Sequence, residues 1–365
     1  MLIKDIIAHI ESNIPIHLAE SYDNVGLLVG DIAMDVGKIY LTLDPTMAVI
    51  EDAIEKGADM IIAHHPYGLG SFNQVNSTTI IGQKLLKLIQ NNIALYVAHT
   101  NLDRSNNTIN EIIFNRLGLS KQSLFVETHA TQLYKLVAFV PESHLDYVRE
   151  AINDAGAGHI GGYSHCSFYQ AGTGTFKPDL GTEPYIGEIG ELEKVSEIRI
   201  ETVIPEGKID SVISALLEVH PYEEVAYDMY KIERTINPLG FGLMGYTDEP
   251  VSLENLIESV KKELHLGHVQ YVGELDRYVQ KIAICSGSGT DFMEEAYKNE
   301  VDVFITGDVR YHYATDAQDH GLALIDASHY GTEQIVVTVF EDLLQPLDEL
   351  DIIVDQISKN PLKML

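Results

Sequence analysis

The strongest constraint on the fold is a rhythm. Short apolar strands alternate with amphipathic helices, and several strands stop at residues able to do chemistry. Lys38-Ile39-Tyr40-Leu41-Thr42-Leu43-Asp44-Pro45 reads as an apolar strand ended by proline. Met47, Ile50, Ala53 and Ile54 then line one face of a helix that stops at Gly57. Asp59–Ala63 is a second buried strand running straight into His64-His65-Pro66, and a long loop follows. After a helix around Leu85–Ile89, the strand Ile93–Ala98 runs into His99-Thr100-Asn101-Leu102-Asp103. Upstream, Leu2, Ile3, Ile6, Ile7 and Ile10 recur at helical spacing. This alternation predicts a largely parallel α/β sheet.

The C-terminal third repeats the rhythm. A shift of 243 positions lays Lys281-Ile282-Ala283-Ile284 on Lys38-Ile39-Tyr40-Leu41, and Glu294, Ala296, Asp302 and Ile305 on Glu51, Ala53, Asp59 and Ile62. The strand Asp302–Thr306 runs into Gly307-Asp308, and Leu322–Ala327 runs into Ser328-His329-Tyr330-Gly331-Thr332-Glu333. Gly240-Phe241-Gly242-Leu243-Met244-Gly245 echoes Asn24–Gly30. The fold expected is therefore α/β, with two pseudo-symmetric α/β halves forming one metal-binding core. Between them, Val140-Pro141-Glu142 and Ile204-Pro205-Glu206 lie 64 residues apart, with Asp146, Val148 and Ala151 matching Asp210, Val212 and Ala215. Two strand–turn–helix units, with strands at Glu197–Val203 and Val225–Ile232, predict an inserted ferredoxin-like α+β domain. Residues 156 to 190, rich in Gly and Tyr, read as hairpins or an extended loop. The expected divisions are 1–126 for the first half, 127–232 for the insert and 233–365 for the second half.

Composition narrows the function. The chain has 365 residues and a formal net charge of −31, from 24 Lys and Arg against 55 Asp and Glu. Such a charge repels phosphate backbones and anionic membranes, which argues against a nucleic-acid partner or a membrane surface. No apolar run is long enough to span a bilayer, and the first twenty residues do not read as a signal peptide. Cys166 and Cys285 are the two cysteines, too few for a disulfide framework or a thiolate metal site. They fit a reducing, cytoplasmic setting.

The chemistry-bearing residues gather at strand ends, where open α/β sheets bind ligands. His64, His65, Asp103, His329 and Glu333 form the candidate metal set. Imidazoles and carboxylates without thiolate suit Zn, Fe or Mn. Adjacent histidines serve two neighbouring metals more easily than they chelate one. His329 and Glu333 are four apart and share a face on a helical turn, as do His99 and Asp103. This predicts a dinuclear site of two divalent cations bridged by carboxylates. Plainer readings exist: Asp103 as a helix cap, His329 and Glu333 as a surface pair. His99 reads mainly as an outer residue orienting a ligand. His312 reads as a catalytic proton shuttle or substrate contact, or else as a solvated histidine at a helix start. His220-Pro221-Tyr222-Glu223-Glu224 is better explained as a helix-ending turn. Gly172-Thr173-Gly174-Thr175 resembles a phosphate loop only superficially.

Five motifs in order resemble the GTP cyclohydrolase 1 type 2 homolog family, also called NIF-three-like. They are Tyr22-Asp23-Asn24-Val25-Gly26-Leu27, His64-His65-Pro66, His99-Thr100-Asn101-Leu102-Asp103, Thr306-Gly307-Asp308 with Tyr311-His312, and His329-Tyr330-Gly331-Thr332-Glu333. Gly158-His159-Ile160-Gly161-Gly162-Tyr163, with Ser164-His165-Cys166 and Gly172-Thr173-Gly174-Thr175-Phe176, is similar to the longer bacterial branch. The resemblance implies a dinuclear site held by His64, His65, Asp103, His329 and Glu333, a CutA-like or PII-like insert, and a ring-shaped homohexamer. The chain departs from the family at Tyr67-Gly68-Leu69-Gly70 and at Ser328, where the family has Gly. The expected function is a metal-dependent hydrolase, with GTP as the substrate the resemblance implies. Hydrolysis of another nucleotide or phosphoester is the alternative within enzymes. A non-enzymatic metal-binding scaffold or adaptor is the alternative outside them.

Overall fold

The computed structural model describes residues 1–68, 74–106 and 108–363. Leu69 and Gly70 lie outside these. The chain divides into two compact units, Met1–Thr128 with Leu239–Leu365, and His129–Pro238.

From the N-terminus come α1 (Ile3–Asn13), β1 (Gly26–Val29), β2 (Lys38–Thr42), α2 (Met47–Glu55), β3 (Met60–Ala63) and α3 (Ile80–Gln90). Next are β4 (Ala94–Val97), the short α4 (Thr100–Asp103) and α5 (Ile109–Arg116). There follow β5 (Ser120–Pro141), α6 (Leu145–Asp154), β6 (Ser167–Phe176), β7 (Glu193–Pro205), α7 (Ile209–Val219) and β8 (Tyr227–Ser252). The remainder is α8 (Leu253–Glu263), β9 (Gln270–Val272), β10 (Tyr278–Ile284), α9 (Met293–Lys298), β11 (Val303–Thr306), α10 (Tyr311–His320), β12 (Ala323–Asp326), α11 (His329–Glu333), α12 (Val336–Leu344) and β13 (Asp351–Val354).

In the larger unit, one sheet has the order β1-β4-β3-β2-β13. Its last four strands run parallel, and β1 is antiparallel to β4. In the other sheet β10, β11 and β12 run parallel, with β8 antiparallel on β10 and β9 antiparallel on β12. The pleat sorts these apolar strands into layers. Ile39, Leu41, Met60 and Ile62 of the first sheet and Ile282, Ile284, Val303 and Ile305 of the second join a single core with Ile3, Ile6 and Ile10 of α1, Val260 of α8 and Phe340 of α12. Alternate residues face outward. Tyr40, Ile61 and Leu95 pack on α2 and α3, while Ala283, Phe304 and Leu324 pack near Met293 and Ala317 of α9 and α10. Strands buried on both faces must be apolar throughout, which is why they stand out in the sequence. Each fully buried Ile contributes roughly 1.5–3 kcal/mol.

One sequence echo does not survive. The residues around Gly242–Tyr246 pair with β10, whereas β1 pairs with β4, so Gly240–Gly245 and Asn24–Gly30 do not occupy matching edges. The chain also supplies β13, which completes the first sheet against β2 and has no counterpart in the sequence reading above.

In the 129–238 unit the elements run strand, helix, strand, strand, helix, strand, and the strand order is β6-β7-β5-β8. β7 is antiparallel to both neighbours. Leu136, Ala138, Ile200 and Ile204 of the sheet pack under Val148, Ile152, Val212 and Leu216 of α6 and α7. Gly172–Thr175 lies within β6 and forms no strand–loop–helix turn.

Candidate metal centre

β3 delivers two histidines at its C-terminal end. The ladder to β2 continues past the strand, with His64 N–H donating to the Thr42 carbonyl (3.2 Å) and His65 N–H to that of Leu43 (2.9 Å). The two rings lie side by side, with centroids 5.1 Å apart. His64 is fully buried, and its Nδ1 is 2.8 Å from the Ala98 carbonyl. A carbonyl can only accept, so Nδ1 carries the proton and Nε2 presents a lone pair. Among the described residues that Nε2 has no hydrogen-bond partner, and neither does the buried Oδ1 of Asp103. The two atoms are 3.8 Å apart, and His64 Nε2 is also 3.8 Å from Glu333 Oε1. Two orphaned acceptors facing each other in a buried space are costly unless a cation lies between them.

Asp103 stands on α4, the single turn that follows β4. It does not cap α5, whose N-cap is Thr108. Burial pushes its carboxyl above the usual carboxylate range. His64 pulls the other way and the Glu333 charge adds to the rise.

The second group comes from both sheets. Glu333 Oε2 accepts from Nε2 of His65 and of His329, each at 2.8 Å. Those two nitrogens are 3.3 Å apart. Burial would raise the Glu333 carboxyl, but hydrogen bonds from His329 and His65 and the nearby His64 ring hold it well below the usual range. Burial opposes the charge on His65 too, yet Asp44 and Glu333 push its pKa up to about 10. Glu333 and Asp308 likewise push His329, against its burial, up to about 9. Glu333 is thus central, with one oxygen toward His64 and the other between His65 and His329. Room for it comes from Gly287 (φ 66°), where an added Cβ would fall 2.1 Å from Oε1.

The structure brings all five sequence-predicted ligands together and adds residues the sequence reading did not assign. Asp44 Oδ1 lies 2.8 Å from His65 Nδ1, and Asp308 Oδ2 lies 2.8 Å from His329 Nδ1. Asp23 holds His99 Nδ1 at 2.9 Å and also accepts from the Thr100 hydroxyl at 2.6 Å. Such carboxylate–imidazole contacts fix ring orientation and tautomer. A strand-end Asp before Pro45 was the available signal for Asp44. His99, read from the sequence mainly as an outer residue, has a ring nitrogen within 4.8 Å of those of His64 and His65. His65, His329 and Glu333 form a second such group. Both groups could hold a metal ion, and their donors are nitrogen and oxygen. Cys285 offers no thiolate, because burial and the Asp103 and Glu333 charges push its thiol up. His312 is exposed at the start of α10, its ring against Tyr311, and among the described residues it makes no hydrogen bond to the cluster.

Ser328 shapes the entry to α11. Its φ of 63° and ψ of 154° lie in a region almost reserved for glycine. The serine stays there because its Oγ caps α11, accepting from the Gly331 N–H at 3.0 Å, while its own N–H donates to Asp326.

Residues 1–361 match the Duf34/NIF3 (NGG1p interacting factor 3) family. A Halalkalibacterium halodurans protein named GTP cyclohydrolase 1 type 2 homolog is 40% identical over 91% of this chain and 89% of its own length. A Bacillus subtilis protein of the same name is 37% identical over 99% and 98%. The crystal structure of a Bacillus cereus protein related to NIF3 superposes with a TM-score of 0.87 at 37% identity, covering 100% of this chain and 99% of that one.

Proposed function

The chain belongs to the Duf34/NIF3 family, and we propose that it is a hydrolase with a dinuclear metal site that opens the guanine ring of GTP. One observation carries the metal reading: Glu333 turns Oε1 toward the orphaned His64 Nε2 and Oε2 toward His65 and His329. His64, Asp103 and Glu333 would hold one cation; His65, His329 and Glu333 would hold the other. Two divalent cations of Zn, Fe or Mn would polarise the substrate and make a water acidic near neutral pH. The protein's own part is orientation. Ala98 and Asp44 present the His64 and His65 nitrogens, and Asp308 presents that of His329. His312 is assigned as a proton shuttle that solvent can partly replace. The substrate rests on the names of the relatives. The same resemblance supports a cytoplasmic homohexamer. The strand order of 129–238 supports an inserted ferredoxin-like domain of the CutA or PII kind, between halves at about 1–126 and 233–365.

Metal analysis of the purified protein, with a nucleotide activity panel, tests this reading. Roughly two metal ions per chain and metal-dependent formate release from GTP are expected. Asp103→Asn should cost on the order of 10²–10³ in rate, and His312→Ala less. Phosphate release in place of formate would favour a phosphoester hydrolase. Bound metal without turnover would favour a scaffold. Absence of metal would overturn the reading.

A further inference from the structure

The motif His220-Pro221-Tyr222-Glu223-Glu224 and the Gly174-Thr175-Phe176 end of β6 have no place in the metal chemistry. Both motifs contribute walls to one cavity of about 390 Å³ within the 129–238 unit, a volume suited to a small molecule. Phe176, Tyr185 and Tyr222 form its aromatic wall, with the Tyr222 ring 6.1 Å from each of the other two. Glu197 of β7 is the buried charge among the lining residues, only 8% exposed. Its Oε1 accepts from the Tyr222 hydroxyl at 2.9 Å. Its Oε2 has no donor among the described residues, and it faces Gly174, where an added Cβ would fall 1.9 Å away. Oε2 is therefore the free accepting oxygen of a side chain that is otherwise buried, open to a donor that enters beside Gly174.

The surroundings explain the rest of the motif. His220 Nε2 donates to the Phe139 carbonyl (3.0 Å), and its Nδ1 accepts from the Tyr222 N–H (3.2 Å), so the ring is neutral and pins Tyr222. Burial agrees, lowering the His220 pKa. Burial and Glu197 keep the Tyr222 phenol protonated as a donor. Glu223 accepts from the Glu183 N–H at 2.9 Å, tying the loop that carries Tyr185 to the cavity. The charged side chains lining the cavity are Glu197, Glu223 and Glu224, and no Lys or Arg is among them. Aromatic faces with an underpaired carboxylate select a cation.

We propose that this cavity binds a small organic cation, whose ammonium or guanidinium group donates to Glu197 Oε2 and lies against Phe176, Tyr185 and Tyr222. Titration of the full chain with n-butylguanidinium, n-butylammonium, neutral butyramide and butyrate, followed by NMR and calorimetry, tests it. The two cations should bind roughly tenfold or more tightly than butyramide, and butyrate should not bind. Glu197→Gln keeps the shape and should abolish the preference for cations. Gly174→Ala closes the space beside Oε2 and should weaken both cations at least as much, with the fold confirmed by circular dichroism and unchanged metal content. Equal binding of butyramide, a preference that survives Glu197→Gln, or no binding of either cation would overturn the proposal.

Discussion

His64 and His329 both follow buried strands and both face Glu333, yet they are held differently. His64 is fully buried, and its ring is set by the backbone carbonyl of Ala98. His329 is about a third exposed, at 35%, and its ring is set by the side chain of Asp308, itself half exposed. One side is preformed by the sheet. The other is built from exchangeable side chains near solvent. If both sides hold metal as proposed, the difference predicts that the His329 side, the more exposed of the two, is the more sensitive to changes in its supporting side chains.

Glu333→Ala is the most damaging test of that division, because Glu333 serves both sides. Metal content should fall to near zero, and any metal-dependent turnover by 10²–10³ or more, on the order of the loss of a central electrostatic anchor. Retention of a full equivalent on the His64 side would show that Asp103 and the β3 histidines suffice there.

Asp308→Asn separates the two sides more gently. It should weaken the His329 side by about 10–100-fold, as loss of an orienting carboxylate does elsewhere. The His64 side should keep its affinity, so that metal titration becomes biphasic. Uniform weakening of both sites would break the distinction.

pH should drive the metal-free and metal-loaded proteins in opposite directions. The pKa values of His65 and His329 are raised from 6.5 to about 10 and about 9 in the metal-free protein. Their ion pairs therefore stabilise it fully below about pH 6.5, and that stabilisation is lost as pH rises through 9 to 10. Metal must displace the same protons, so apparent affinity should climb with pH up to that range, by about tenfold per unit for each proton released. Thermal unfolding with and without metal from pH 6 to 10 checks the sign. Parallel trends would mean that these two histidines are neutral before metal arrives.

The smallest effect concerns the route into α11. Ser328→Ala loses the cap but keeps the strained backbone, and should cost about 1 kcal/mol. Ser328→Gly relieves the strain as it gives up the cap, and should be close to neutral. Melting temperatures of the two variants compare them directly. Equal destabilisation would assign the serine's role to something other than its cap.

Much of the larger unit is legible from sequence because burial on both faces leaves a local mark. β2, β3, β4, β11 and β12 are largely apolar runs, and the proposed ligands follow three of them: His64 and His65 directly after β3, Asp103 on the short helix after β4, and His329 and Glu333 on the short helix after β12. The 64-residue repeat falls on β5–α6 and β7–α7 for a similar reason, since each helix needs one apolar face against its sheet. The partnerships are different. Asp23 meets His99 across 76 positions and Asp44 meets His65 across 21. β13 joins β2 from the far end of the chain, and Glu197 finds Tyr222 and Gly174 only when β6, β7 and the turn after α7 are in place. An apolar pattern states only that a residue is buried, whereas the choice between capping, pairing and ligation depends on which polar atom the rest of the fold sets within about 3 Å of it.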